Sequence, residues 1–351
     1  VTVDDLGARH LSRGVLAHPL GLHCDVAKGS HSSAYGSPRV GQFLKGLHRA
    51  VAEGATLFDT ADSYGYGGSE RVLGQLSRAY PDLPLQLCSK VGQIRGSSEH
   101  PYAGRHIHHQ LEQTLDNLYA EQLALYTLDS FDFGPGDRYL GNAIDTMNTF
   151  REVESIKAVG MRGPIAPYTA SPEEWAAQAE RFLYLFRLIK PDVVWAPFNA
   201  FTPAVSLEGE DLFSFTARHG VGLVLAAPLA HGLLAGRDEV WISSRAEVGT
   251  PPAAMASLMD QVQEGLRVLR THFGDSPGAL TRLALRSSLQ RADHCVVVVG
   301  FSDEAQVRQN FRCLGDPLTA AELSVVDTVY AQLRAHVQEA VPPSLVKELQ
   351  A

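Results

Sequence analysis

Short apolar runs alternate along this chain with longer stretches in which apolar residues recur every three or four positions. The runs Val15–Leu22, Leu57–Phe58, Leu85–Cys88, Leu123–Leu128, Val159–Met161, Val193–Ala196, Gly222–Ala226 and His294–Val299 read as buried strands. Cys295-Val296-Val297-Val298-Val299 is apolar at every position, as a parallel strand covered on both faces should be. Between the runs the period changes. Phe43, Leu44, Leu47 and Val51 share one face of a helix from about Pro38, and Ile107, Leu111, Leu115 and Leu118 share one face of a helix over His106–Tyr119. Further helices are predicted over Gly68–Leu76 with Ser69 as its N-cap, Leu140–Ala158, Pro172–Ile189, Asp211–His219 and 277–289. Eight strand-then-helix units in succession predict an α/β fold, a (β/α)8 TIM barrel. Residues 5–14 resemble a hairpin ahead of it, and a last helix over Thr319–Ala340 is expected outside the barrel or across its base. No linker divides 1–351, so a single barrel domain is expected. Lys28–Ser37 reads as a loop, and Ser243–Ala254 is the best candidate for a mobile one.

Composition narrows the function classes. The net charge is −9 with no run of Lys or Arg, which argues against nucleic acid or an anionic membrane as partner. The four cysteines, Cys24, Cys88, Cys295 and Cys313, lack metal-site or disulfide-framework spacing. His106-Ile107-His108-His109 has the look of a metal cluster but lies on a helix beside a surface turn, and no metal is expected. No apolar segment approaches the roughly 20 residues that span a bilayer. Val1–Asp5 lacks the features of a signal peptide, so a cytosolic protein acting on a small molecule is expected. Nothing in the chain sets its oligomeric state.

In a parallel barrel the chemistry sits where strands end. Leu57-Phe58 runs out into Asp59, and Leu85–Cys88 into Lys90, so both emerge at one rim. Tyr64, five residues beyond Asp59, can curl back over it. A carboxylate, an ammonium and a phenol together form a proton-transfer group. The cation is expected to lower the pKa of the phenol, and the carboxylate to keep the lysine charged. Asp129, Arg162, Ala226-Ala227-Pro228 and Gly300-Phe301-Ser302 occupy other strand ends. Phe131, Phe133, Tyr168, Trp195 and Phe198 fall near them as pocket lining or as core.

Asp59-Thr60-Ala61-x-x-Tyr64-Gly65, then Ser69-Glu70-x-x-Leu73-Gly74, then Ser89-Lys90-Val91-Gly92 resembles the aldo-keto reductase family of NAD(P)-linked oxidoreductases. The resemblance implies catalytic roles for Asp59, Tyr64 and Lys90. Ala227-Pro228-Leu229-Ala230-His231-Gly232-Leu233-Leu234 is similar to the family's pyrophosphate segment. Gly300-Phe301-Ser302 with Gln306 and Asn310 is similar to its adenosine-phosphate loop and helix. The whole pattern is most similar to the branch containing L-galactose dehydrogenase and D-threo-aldose dehydrogenase, whose members oxidise a sugar to a lactone.

The chain also departs from that pattern. The family's histidine after the fourth strand corresponds here to Asp129, and the Ser-Asn that holds the nicotinamide carboxamide corresponds to Arg162-Gly163. A glutamate at the histidine position occurs in steroid 5β-reductases of the family, which reduce a conjugated C=C. Asp129 is therefore expected to act as a neutral donor to an enone, as a polarising or anchoring group for a carbonyl or alcohol, or as a structural partner of Arg162 or Lys90. The leading expectation is an NAD(P)-dependent oxidoreductase acting on a carbonyl or alcohol, with Tyr64 as general acid/base. The alternatives are an enone reductase, a cofactor-binding regulatory barrel, and a cofactor-free lyase or isomerase. Asp303, where many NADPH-using relatives carry arginine, implies a slight preference for NAD.

Overall fold

A computed structural model describes residues 6–26, 38–166, 170–237 and 252–339. Lys28–Ser37, most of Ser243–Ala254 and Tyr168 lie outside these residues. The strands are β1 (Arg9–Ser12), β2 (Val15–Ala17), β3 (Leu20–His23), β4 (Leu57–Asp59), β5 (Gln86–Val91), β6 (Leu123–Leu128), β7 (Ile156–Arg162), β8 (Val193–Pro197), β9 (Gly222–Ala226) and β10 (Cys295–Gly300). Strands β3 to β10 close in chain order into a parallel barrel, with β10 beside β3. Helices α1 (Pro38–Ala52), α2 (Gly68–Ala79), α3 (Gly104–Leu118), α4 (Leu140–Glu152), α5 (Pro172–Ile189), α6 (Leu212–Arg218), α7 (Pro252–Phe273), α8 (Ala279–Leu289), α9 (Glu304–Arg312) and α10 (Ala320–Glu339) surround it. This is the expected (β/α)8 barrel with an N-terminal hairpin and a C-terminal helix.

Leu57, Cys88, Leu125, Ala158, Val193, Val224, Val296 and Val298 fill the barrel interior from alternate strand positions. The hairpin plugs its lower end with Leu11, Val15 and Ala17. It packs so closely that a Cβ on Gly222 would lie 2.0 Å from the Leu11 carbonyl, so only glycine fits there. Buried Arg9 ties the plug down through Asp293, at 2.8 Å. A second apolar cluster joins Val262, Leu266 and Leu269 of α7 to α8 and to Val326, Val329 and Leu333 of α10, which therefore packs on the barrel's flank.

Four expectations need correction. Val15–Leu22 is two strands: Val15–Ala17 pairs antiparallel with β1 across a turn at Gly14, and the first barrel strand begins after Pro19 and ends at His23. The helix from Leu140 stops at Glu152, because Glu154 turns left-handed at φ 60° and releases Ile156 into β7. Ser69 is not a cap. Gly67 in the left-handed region precedes α2, and the Ser69 hydroxyl accepts the Val26 N–H at 3.0 Å. Helix α7 is absent from the sequence expectation, although Met259, Val262, Leu266 and Leu269 carry a helical period.

Candidate active site

Asp59 ends β4, in register with His23 of β3, and its carboxylate gathers the site. Oδ1 accepts from Lys90 Nζ at 2.9 Å. Oδ2 accepts from Lys90 Nζ at 2.8 Å, His23 Nδ1 at 3.0 Å and Trp195 Nε1 at 3.1 Å. The third Lys90 proton goes to the Thr60 carbonyl at 2.7 Å, and Lys90 has no exposed surface. Burial alone would push the Asp59 carboxyl up, but Lys90 and then His23 outweigh it and hold it below the usual range. Burial likewise works against the Lys90 charge, and Asp59 overcomes it, so the ammonium is held above its ordinary pKa.

Tyr64 is brought over this pair by a tight loop. Gly65, Tyr66 and Gly67 all have positive φ, and Gly67 N–H closes on the Asp62 carbonyl at 2.7 Å. The Tyr64 ring centroid lies 5.2 Å from Lys90 Nζ, and the ring stands edge-on to His23 at 5.3 Å. All three Lys90 protons are already committed, so Lys90 acts on the phenol through its field. The expected lowering of the phenol pKa does not occur. Burial pushes it up to about 12, and the opposing pull of Lys90 is smaller.

Asp129, just past β6, pairs with Arg162 at the end of β7. Arg162 Nη1 donates to Asp129 Oδ1 at 2.8 Å, and Gln93 Nε2 donates to the Asp129 carbonyl at 2.8 Å. Burial raises the Asp129 pKa against the opposing charges of Arg162 and Lys90. The Arg162 guanidinium lies 5.5 Å from the Trp195 ring centroid, and its buried Nε has no hydrogen-bond partner among the described residues.

The residues expected to hold a dinucleotide lie at the same mouth. The segment after β9 turns left-handed at Ala227, Ala230, His231 and Gly232, the first three of them non-glycine positions where that conformation is strained. Pro228 and Gly232 lie in that segment; the Leu233 side chain instead belongs to the flank core, with Leu229 packed against it. After β10, Ser302, Asp303 and Gln306 tie one another down. Asp303 caps α9 by accepting the Gln306 N–H at 2.9 Å, and Gln306 Oε1 accepts the Ser302 N–H at 3.0 Å. Asn310 is buried on α9. A Cβ on Gly300 would meet nothing within 4 Å. That open space, the strained segment and the orphaned Arg162 Nε fit a nicotinamide dinucleotide at the strand ends.

Two residues at the centre are not recognisable from the sequence as Asp59 partners. His23 is hidden at the end of a run that reads as one long strand, and Trp195 reads only as pocket or core lining. Glu70 of α2 has a structural role rather than a chemical one. It accepts from Ser89, Thr114 and Asn117 at 2.7, 2.8 and 2.9 Å, locking α2 to β5 and α3. His106 is bonded to the Ile94 carbonyl at 2.8 Å.

Asp62 is the unsatisfied member of the site. It is 4% exposed, and neither carboxyl oxygen has a hydrogen bond of ordinary geometry among the described residues. Burial, with the charges of Glu70 and Asp129, pushes it up to about 8; Ser63 N–H and Lys90 pull the other way and lose. A folded pKa above the unfolded one means that the folded state binds the extra proton. Stability therefore falls as pH rises from about 4 to about 8. Asp62→Asn should flatten that slope in melts taken between pH 5 and 8. An unchanged slope would show that Asp62 is ionised in the fold.

A profile of the aldo/keto reductase family matches residues 33–331. L-galactose dehydrogenase of Arabidopsis thaliana is 22% identical over 269 residues, 75% of each chain. The NADH-specific methylglyoxal reductase of Escherichia coli (strain K12) is 22% identical over 289 residues, covering 78% of this chain and 82% of its own. Among solved structures, the glycerol dehydrogenase of Gluconobacter oxydans has the same fold, with TM-score 0.69 at 20% identity, covering 96% of this chain and 98% of its own. An aldo/keto reductase of Klebsiella pneumoniae, solved with NADP and acetate, gives 0.62 at 19% identity, covering 92% and 95%. With the barrel, the Asp59–Lys90–Tyr64 group at its mouth and a match over most of its length, this chain belongs to the aldo/keto reductase family of NAD(P)-dependent oxidoreductases.

Proposed function

We propose that the chain interconverts an alcohol and a carbonyl on a small, hydroxyl-rich substrate, with Tyr64 meeting the reacting oxygen. The observation that carries this is the convergence of Asp59, Lys90 and Tyr64, with Lys90 Nζ 5.2 Å from the Tyr64 ring centroid. A bound nicotinamide supplies or accepts the hydride. A phenol pushed up to about 12 is protonated at neutral pH and donates to an oxygen that becomes negative as the carbonyl is reduced. The Lys90 ammonium adds a positive field without leaving its partners. Pro228, Gly232, Gly300, Ser302, Gln306 and Asn310 would hold the nucleotide, and Arg162 its nicotinamide end. The likeness to L-galactose dehydrogenase supports a sugar-like substrate.

Asp129 bears on the substrate class. Its partner Arg162 is a guanidinium, so the 2.8 Å contact favours an ionised carboxylate. An acceptor there suits a substrate hydroxyl. The second reading, enone reduction with Asp129 as a neutral donor, is favoured by the burial that raises its pKa. Turnover of an aldehyde, an aldose and an enone by Asp129→Asn and Asp129→Ala separates the two. The Asn amide keeps a donor but not the charge, so loss of aldose turnover alone supports the anchoring role, and enone turnover kept in Asp129→Asn but lost in Asp129→Ala supports the donor. If no activity moves by more than about twofold, near 0.4 kcal/mol in the barrier, Asp129 lies outside the site.

The nucleotide loop favours NAD(H). Arg308 and Arg312 of α9 are already paired, with Glu304 at 2.8 Å and with Glu53 at 3.3 Å, and Asp303 repels a 2′-phosphate. Fluorescence titration should give tighter binding of NADH than of NADPH. A dissociation constant tenfold lower for NADPH, about 1.4 kcal/mol, would reverse this assignment.

Tyr64→Phe should lower kcat by roughly 10²-fold or more while nucleotide binding persists. Full turnover in that variant would remove Tyr64 from the mechanism.

A further inference from the structure

A cavity of about 300 Å³ opens on the flank of the barrel, between α8, α10 and the loop that follows β8. That is the lower end of the range for sites that take small organic ligands. None of Asp59, Tyr64, Lys90, Asp129 and Arg162 lines it. Helix α10 supplies one wall, where Asp327, Tyr330 and Arg334 share a face at helical spacing. Phe198, Pro228 and Ala331 add apolar surface.

The polar groups of this cavity do not balance. Ser287 and Ser288 spend their hydroxyl protons on the Ala284 carbonyl, at 3.2 and 3.1 Å. Arg291 at the rim donates to Asp327 Oδ1 at 2.6 Å. Arg334 has no carboxylate of its own. Its Nη1 goes to the carbonyls of Ala200 and Thr202, at 3.0 and 3.3 Å, and its other nitrogens donate to no described residue. Tyr330 is 5% exposed, and its hydroxyl has no hydrogen-bond partner among the described residues. Donors are left over. The charged side chains of the lining, two arginines and one aspartate, sum to a net positive charge. Burial, and then the charge of Arg291, hold the Arg334 guanidinium below its ordinary pKa, while Asp327 pulls the other way. A half-buried guanidinium without a carboxylate partner carries a desolvation cost that an anion offsets.

We propose that this flank cavity binds a small organic anion, a carboxylate or phosphate monoester with a compact apolar body, whose charged head accepts from Arg334 and Tyr330. The apolar body lies against Phe198, Pro228 and Ala331. Asp327 is the one carboxylate among the lining residues and opposes the same ligand, both by its own charge and by occupying Arg291. The site stands apart from the oxidoreductase reading, with only Pro228 shared with the nucleotide segment.

Calorimetric titration of the full chain with benzoate and with phenyl phosphate tests this, with benzamide as the uncharged counterpart. At least one anion should bind with a Kd below about 10 mM, and benzamide roughly tenfold more weakly. Arg334→Gln should weaken the anion by about tenfold or more. Asp327→Asn should tighten it by about threefold, because it removes the opposing charge and releases Arg291. Asp327 lies at the rim with 43% of its side chain exposed, so this variant decides the question even if Arg334→Gln does not fold. A gain in affinity is not what a damaged fold produces. Whichever anion binds more tightly identifies the head group. Three results would each overturn the proposal: no anion binding below about 10 mM, benzamide binding as well as benzoate, or an Asp327→Asn affinity that is unchanged or weaker. Displacement of the anion by NADH would overturn it as well, by placing the anion in the nucleotide site.

Discussion

A lysine with no exposed surface sits in the middle of this barrel, and everything near it is arranged to keep its charge there. Stripping water from an ammonium costs several kcal/mol even after relaxation, and only close partners return it. Lys90 has three protons and three acceptor contacts, two to Asp59 and one to the Thr60 carbonyl. Asp59 in turn has its acceptor positions filled by Lys90, His23 and Trp195. One carboxylate therefore fixes side chains from β3, β5 and β8 besides its own strand. Buried behind these donors, it is not open to a substrate. Its work is to hold the ammonium, and with it the field at Tyr64.

Around that fixed centre the other groups differ in how firmly they are held. The Asp129–Arg162 pair lies nearer solvent. The Tyr64 loop depends on three consecutive left-handed residues, two of them glycine. Asp62, within that loop, is buried with no hydrogen bond of ordinary geometry among the described residues, so the segment carrying the phenol also carries a folding cost. Sites commonly accept such costs where the arrangement serves the chemistry.

Much of this is legible in the sequence, for identifiable reasons. Buried parallel strands must be apolar throughout, so β6, β9 and β10 announce themselves. Asp59 comes directly after such a run and Lys90 one serine beyond another, where only a strand end or a paired interior charge is tolerable. His23 obeys the same rule and escapes it because Val15–Ala17 reads as continuous with Leu20–His23. The break is made by Pro19 and by a hairpin partner, β1, that apolar periodicity alone does not reveal. Trp195 is legible as large and apolar, but its indole N–H finds Asp59 only through the register of β8. The phenol pKa is misjudged for a related reason: sequence names the neighbouring cation but not the burial that outweighs it. Helix α7 opens at the end of Gly249-Thr250-Pro251-Pro252, and the turn signals of that stretch mask a clear helical period.

The most direct measurement is a double-mutant cycle on unfolding free energy, using Asp59→Asn, Lys90→Met and both together. If the buried pair is the constraint on which the site depends, each single change leaves its partner's charge or hydrogen-bonding groups stranded, at a cost of about 3–5 kcal/mol. The double variant should then lose far less than the sum of the two. Losses that add to within about 0.5 kcal/mol would mean that the two side chains are energetically independent, and the pair could not be what holds the site together.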